Sequence, residues 1–217
     1  IPPSPELREE QIAEAMEYGS ENPSITSDPP LHKPYKQLIL PFFTPKATES
    51  YRKFTEDLCH QLIDRIIDKG ECDAAADYAQ QIPPRVIATI LGIDPARGDD
   101  FTEWTQGVLE FGQTQPELRS KYRRIIREFF TELVAQRKKE PGDDVISTLL
   151  ASEVEGEPVN EYTVVGICNL LLVAGIDTTW SSIGAALWHF AGHAGDRRRL
   201  ASDTELFPTA IEEMLRY

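Results

Sequence analysis

The residues best suited to chemistry lie in one hexapeptide, Ala174-Gly175-Ile176-Asp177-Thr178-Thr179. A carboxylate stands next to a hydroxyl that can both donate and accept a hydrogen bond. The pair Asp177–Thr178 can therefore pass a proton and be reloaded. The residues ahead of it are almost uniformly apolar: Val164, Val165, Ile167, Cys168, Leu170, Leu171, Leu172 and Val173. An acid placed in such a run is costly unless it is hydrogen-bonded or used. Leu170, Val173, Ala174, Asp177, Thr178 and Ser181 recur at spacings of three and four, so they share one face of a helix. That face is apolar at one end and carries an acid and a hydroxyl at the other. It suits an apolar ligand lying beside a centre that needs protons. Gly175 removes a side chain one turn before Thr179, which allows a close approach to the backbone or a local widening of the helix. The plainer alternative is a buried Asp–Thr pair that satisfies backbone groups at a kink.

Two other spacings bear on function. Glu213 and Arg216 are three apart and can pair on one helix face, although an exposed pair of that kind is common and worth little. His189 and His193 are four apart, a spacing that can bind zinc, but no Glu follows His189 and no third ligand is apparent. The sequence contains no phosphate loop, nucleophile elbow, glycosidase-like carboxylate pair or N-glycosylation sequon.

The elements that must hold these residues read as helices. The chain has 217 residues, is 41% hydrophobic, and carries a formal charge of 22 − 36 = −14. That is enough apolar material for a sizeable core, and the wrong balance for wrapping nucleic acid or lying on anionic lipid. Three cysteines, Cys59, Cys72 and Cys168, form no CxxC and no cluster, which fits a reducing compartment such as the cytoplasm. The spacing predicts an amphipathic helix over residues 5–20 and a Pro- and Ser-rich connection over 22–34. Thr44-Pro45 opens a helix with the stripe Phe54, Leu58, Leu62, Ile63, Ile66 and Ile67, closed by Lys69-Gly70. A short strand is expected over 72–79, then helices from Pro83-Pro84 to Gly92, over 99–111, over 116–138, and from Asp143 or Asp144 to about 152. The basic run Arg119, Lys121, Arg123, Arg124 and Arg127 reads as a solvated face. It could also, with the Lys46/Arg52/Lys53 region, dock an acidic electron-transfer partner. The dominant element runs from Glu161 to about Gly192, roughly 45 Å long. A helix apolar all round is either a core helix or a membrane span, and Asp177 at its midpoint argues against lipid. A last helix covers about 206–216.

With these residues in view, Ala174-Gly175-Ile176-Asp177-Thr178-Thr179 resembles the oxygen-activation motif of the long central helix in cytochrome P-450 haem-thiolate monooxygenases. Two further matches follow in the family's order. Glu213-Met214-Leu215-Arg216 resembles its Glu-x-x-Arg helix, a structural pair near the haem-ligand loop. Asp28-Pro29-Pro30-Leu31-His32-Lys33-Pro34-Tyr35-Lys36 resembles its Asp-Pro-Pro-x-His-x-x-x-Arg segment, where His and Arg bind a haem propionate. Here Lys36 replaces the Arg, giving a point charge instead of a bidentate fork, and Pro34 lies within the segment. Phe42-Phe43-Thr44-Pro45 and Asp143-Asp144-Val145-Ile146-Ser147-Thr148-Leu149-Leu150 also look like family segments, in the style of soluble bacterial members.

The resemblance implies a mainly α fold over residues 1–217. This would be the central part of the P-450 domain around its long helix, without the N-terminal sheet region and the C-terminal haem-ligand loop. The absent initiator Met and the end at Tyr217 agree with part of a longer protein. It further implies haem b as cofactor, with His32 and Lys36 on the propionates and Ala174 and Gly175 beside the macrocycle. Dioxygen would be the co-substrate, with NAD(P)H electrons arriving through a ferredoxin or flavoprotein reductase, or a fused one. Asp177 and Thr178 would form the proton relay, and Leu170, Val173 and Ala174 would line the side of an apolar small-molecule substrate. No nucleic-acid or membrane partner is expected. The axial cysteine of the family belongs to a Phe-x-x-Gly-x-x-x-Cys-x-Gly loop that none of the three cysteines matches, so no metal ligand is expected in this chain. Two alternatives stay open: a peroxide-using or non-monooxygenase relative, and a non-catalytic helical binding or regulatory domain. Relatives of the first kind often replace the acid–threonine pair, which this chain keeps.

Overall fold

The computed structural model describes residue 25 and residues 32–154 and 156–216. The helix expected over residues 5–20, and most of the connection that follows it, lie outside the described residues. The described chain is a succession of helices: α1 His32–Ile39, α2 Pro45–Ile67, α3 Ile82–Ile90, α4 Gly98–Leu109, α5 Pro116–Lys139, α6 Val145–Leu150, α7 Glu161–Gly192, α8 Ala194–Ser202 and α9 Phe207–Arg216. One antiparallel pair of two-residue strands, β1 Glu153–Val154 and β2 Glu157–Pro158, joins α6 to α7, with Glu153 opposite Pro158.

Local chemistry sets the helix starts. The Thr44 hydroxyl accepts from the Ala47 amide, with Pro45 in the first turn of α2. Asp144 Oδ1 accepts from the Ser147 amide at the start of α6, and Asn160 Oδ1 accepts from the Thr163 amide at the start of α7. Gly70 and Gly92 take positive φ (72° and 69°) after α2 and α3, where a side chain would be strained. The strand expected over 72–79 is instead a single π-helical turn, Ala74–Tyr78. Asp73 caps it by accepting from the Ala75 and Ala76 amides, and three alanines in sequence offer no β-branched residue to favour a strand.

The first half of α7 runs through the centre. Val164, Ile167, Cys168, Leu172 and Ile176 are fully buried, packed by α3, α4, α5 and α6 through Ala88, Phe101, Ile126, Phe130 and Ile146. The helix is long and apolar enough to cross a membrane, but its apolar surface is taken up by this core. A smaller cluster of Leu58, Leu62 and Ile82 joins α2 to α3. The expected stripe of α2 is narrower than its sequence suggests, since Ile63 and Ile67 are exposed. On α5 Arg119, Lys121 and Arg124 of the basic run are exposed, but Arg123 and Arg127 are half-buried and line a small hollow with Tyr162, Val165, Gly166 and Asn169 of α7, so the run is only partly a solvated face. Ile126 is buried, and Tyr122 and Ile125 are half-buried against the core. The Tyr122 ring lies over Gly107, where a Cβ would come within 1.9 Å of it, and its hydroxyl donates to Glu103 at 2.8 Å. This locks α4 to α5.

A buried ionic knot ties α3, α5 and α6 together. Arg137 Nε donates to Asp144 Oδ2 at 2.5 Å, and another guanidinium nitrogen donates to the Gly92 carbonyl at 3.2 Å. A Cβ at Gly92 would sit 2.4 Å from that of Asp144, so the close approach requires glycine. Burial pushes the Asp144 carboxyl up, but the Ser147 amide and the Arg137 guanidinium outweigh it and hold the group below its ordinary 3.8. Its stabilising contribution is therefore complete above the ordinary carboxylate range and lost as pH falls through the lowered folded value. Asp144→Asn is expected to cost about 2 kcal/mol in urea unfolding at pH 7. The stabilities of wild type and variant should then converge in acid.

Candidate functional site

Beyond Val173 the helix α7 leaves the core and becomes two-faced. One side stays anchored: Ile176 is fully buried and Trp180 nearly so. Gly175 belongs to this anchored side, because a Cβ there would lie 2.7 Å from Ile87 Cδ1 and 3.2 Å from its Cγ1. The close approach that Gly175 permits is thus made by α3. The opposite side is open, with Ala174, Thr178 and Ser181 exposed and Asp177 half-buried.

The hydroxyls on the open side are tied to the helix itself. Thr178 Oγ1 donates to the Ala174 carbonyl at 2.8 Å. Ser182 Oγ donates to the Thr178 carbonyl, also at 2.8 Å. Each hydroxyl has thereby committed its one proton and keeps acceptor lone pairs for whatever occupies the open side. Asp177 has no hydrogen-bond or ion-pair partner among the described residues. Of the pair, then, Thr178 satisfies a backbone group, the Ala174 carbonyl, and Asp177 does not.

Thr178, Thr179 and Ser182 form the polar end of a cleft of about 440 Å³ between α7, α8 and α9. The rest of its lining is apolar: Ile183, Ala186, Phe190, Leu200, Phe207, Ala210, Ile211, Met214 and Leu215. Leu170, Val173 and Ala174 do not line it: Leu170 is buried, Val173 packs on the main core, and Ala174 is exposed outside the lining. Ser182 and the apolar side of α9 escaped the sequence reading. Their signal was the repeat of a hydroxyl four residues after Thr178 and the spacing of Phe207, Ile211 and Leu215.

The other sequence candidates lie apart from the cleft lining. His32 is half-buried and Lys36 exposed on α1, whose Leu38 and Ile39 pack on the core. Arg216 grips Glu213 through two nitrogens at 3.0 and 2.5 Å, both side chains being largely exposed. The Arg216 guanidinium holds the Glu213 carboxyl below its usual range. A second hollow of about 330 Å³ opens on the other side of Phe190 and Met214. Two of its polar groups are paired, Glu213 with Arg216 and His189 Nε2 with Asp196 at 3.1 Å, and Arg199 and Thr209 also line it. The His189 and His193 rings stack 4.1 Å apart, and His193 Nδ1 bonds the His189 carbonyl. This geometry ends α7 instead of presenting two free ligands.

A haem needs a flat apolar slot, small residues on the helix beside it and an axial ligand. Ala174 and Thr178 on the open side, next to an apolar cleft, fit the first two demands. The cysteines do not fit the third. Burial pushes the Cys168 thiol far up, helped by the Asp144 charge, and so keeps it from ionising. Cys59 is engaged with Tyr78, whose hydroxyl is pushed up to about 12 by burial and by that contact. Cys72 is exposed, in the link after Gly70.

No family model matches the chain. Cytochrome P450 107B1 of Saccharopolyspora erythraea is 32% identical over 217 residues, covering 98% of this chain and 53% of that protein. The crystal structure of P450BioI in complex with a hexadec-9Z-enoic acid ligated acyl carrier protein superposes with a TM-score of 0.86. It is 26% identical, and the match covers 100% of this chain and 56% of that one. The chain is a partial cytochrome P450. Cytochrome P450 PksS of Bacillus subtilis agrees, with a TM-score of 0.82 at 29% identity over 88% of this chain and 49% of that one. The chain spans about half the length of the curated relatives it matches. The mainly helical P450 fold accounts for the long central helix and for the small share of strand among the described residues.

The Gly175–Ile87 contact gives a direct check on the anchored side of this P450 helix. Gly175→Ala is expected to destabilise the protein by about 1–2 kcal/mol through overpacking. Ile87→Val, which removes the Cδ1 atom, should relieve part of that loss in a double-mutant cycle measured by urea unfolding.

Proposed function

We propose that this chain forms the distal wall and oxygen-activation helix of a haem-dependent monooxygenase, which inserts one atom of dioxygen into an apolar small molecule. The observation that carries the reading is Thr178 at the polar end of an apolar cleft, bonded back to the Ala174 carbonyl, with half-buried Asp177 next to it in the chain. When bound, haem b supplies the reductive activation of dioxygen. Thr178, with its proton on the Ala174 carbonyl, offers acceptor lone pairs toward the cleft and orients a proton donor there. Asp177 is half-buried and unpartnered, so it can exchange protons with water and reload the hydroxyl. The methyl of Ala174 leaves room for the macrocycle, and Gly175 holds that stretch of helix in place from behind. His32 and Lys36 neutralise the propionates, and Glu213–Arg216 braces the region of the axial ligand. Electrons come from NAD(P)H through a ferredoxin or flavoprotein reductase, separate or fused. The enzyme works in the bacterial cytoplasm.

The test is the coupling ratio in the haem-loaded full-length protein. Thr178→Ala should lower product formed per NAD(P)H consumed by roughly tenfold or more while electron consumption continues, and Thr178→Ser should keep most of it. Undiminished coupling in Thr178→Ala would rule the assignment out. Residues 1–217 alone offer a second check. Loaded with haem, reduced and exposed to carbon monoxide, they are expected to lack the red-shifted Soret band of thiolate ligation. Its appearance would assign the axial ligand to Cys59, Cys72 or Cys168.

A further inference from the structure

Ser182 has no part in the motif, yet it is bonded to the residue that the proposed reaction turns on. Its Oγ donates to the Thr178 carbonyl at 2.8 Å, as Thr178 Oγ1 does to the Ala174 carbonyl. Both side chains line the same cleft. A hydroxyl that bonds back to the carbonyl four residues earlier competes with the backbone amide there, tilts that carbonyl outward and bends the helix slightly. Two such bonds one turn apart act on one side of α7. From the packed side the helix is held by buried Ile176 and Trp180, and Ile87 fills the space at Gly175, two turns before Ser182 on the same stripe, so α7 cannot roll to relieve the bend.

The geometry points to Ser182 as a positioning residue for Thr178, a role that rests on the monooxygenase reading above. By holding the Thr178 peptide tilted toward the cleft, Ser182 fixes the direction of the Thr178 side chain. It thereby keeps the Thr178 hydroxyl on the Ala174 carbonyl with its lone pairs facing the cleft. Ser182 touches no reacting atom; it acts through the Thr178 carbonyl. The sign of its effect separates this role from simple stabilisation, because a bond that bends a helix weakens the local backbone ladder. Removing it straightens the helix and frees the hydroxyl of Thr178 to turn.

The experiment compares Ser182→Ala, Ser182→Thr and Thr178→Ala in the haem-loaded full-length protein. Two quantities are measured: product formed per NAD(P)H consumed, and amide hydrogen exchange over residues 174–186. Ser182→Ala is expected to lower coupling about two- to tenfold, the ratio that one net hydrogen bond is worth, and to slow exchange across 178–186. Ser182→Thr, which keeps the donor, should restore both. Lost coupling with faster exchange would overturn the proposal, since Ser182 would then only stabilise the helix. Unchanged coupling in Ser182→Ala beside uncoupled Thr178→Ala would also overturn it, while leaving the role of Thr178 intact. If Thr178→Ala too stays fully coupled, the monooxygenase reading fails and the proposal with it. Should Ser182→Ala not fold, Ser182→Cys keeps the size, weakens the donor and is read by the same two measurements.

Discussion

The first half of α7 has no polar side to turn toward water, and the rest of the structure follows from that. Val164, Val165, Gly166, Leu170 and Leu172 are buried around its circumference, so neighbours must surround it. Each such Val or Leu side chain contributes about 1.5–3 kcal/mol on burial, and together they fix the helix both along its axis and in rotation about it. A one-residue error in rotation is about 100° in a helix of 3.6 residues per turn. In one sense it would carry Thr178 to where Asp177 now lies, off the cleft lining. Asn160 fixes where the helix begins, and the Lys138–Glu161 ion pair ties that first turn to the end of α5.

The second half uses that fixed rotation. Gly175 and Ile87 meet where a β-carbon would collide, so α3 sets the depth of α7 at the position where chemistry is proposed. What remains on the side away from Ile176 and Trp180 is small or polar: Ala174, Asp177, Thr178 and Ser181. Polar groups that would be expensive inside the core are affordable here because the side is open and each bonded hydroxyl has an acceptor within its own helix. Packing and function are thus two faces of one helical segment, and the glycine divides them.

Much of this was legible in the residues. Thr44-Pro45, Asp144 and Asn160 are helix starts by their chemistry, and the run from Glu161 to Gly192 is one helix because no proline interrupts it. Asp177–Thr178 stood out because an acid within an apolar run demands a reason. The direction of Gly175 was not legible, since a missing side chain does not say which neighbour fills the space. Nor was the turn at Ala74–Tyr78, where a short segment without periodicity left strand and helix equally open. The hairpin between α6 and α7 and the short helix Ala194–Ser202 were missed for a similar reason. Two-residue strands and a charged nine-residue helix leave little pattern to read. Ser182 was passed over because its importance lies in a bond to a carbonyl, and side-chain spacing does not reveal which hydroxyls turn back on the backbone.

The most direct measurement is a crystal structure of the full-length protein with haem bound. The expected result has the macrocycle lying along the Ala174–Thr178 side of α7, with Ile87 still against Gly175, Trp180 still in the core and Ser182 still bonded to the Thr178 carbonyl. A haem seated on the Gly175–Trp180 side, or a Thr178 side chain directed away from it, would contradict the division of this helix into an anchored face and a reactive one.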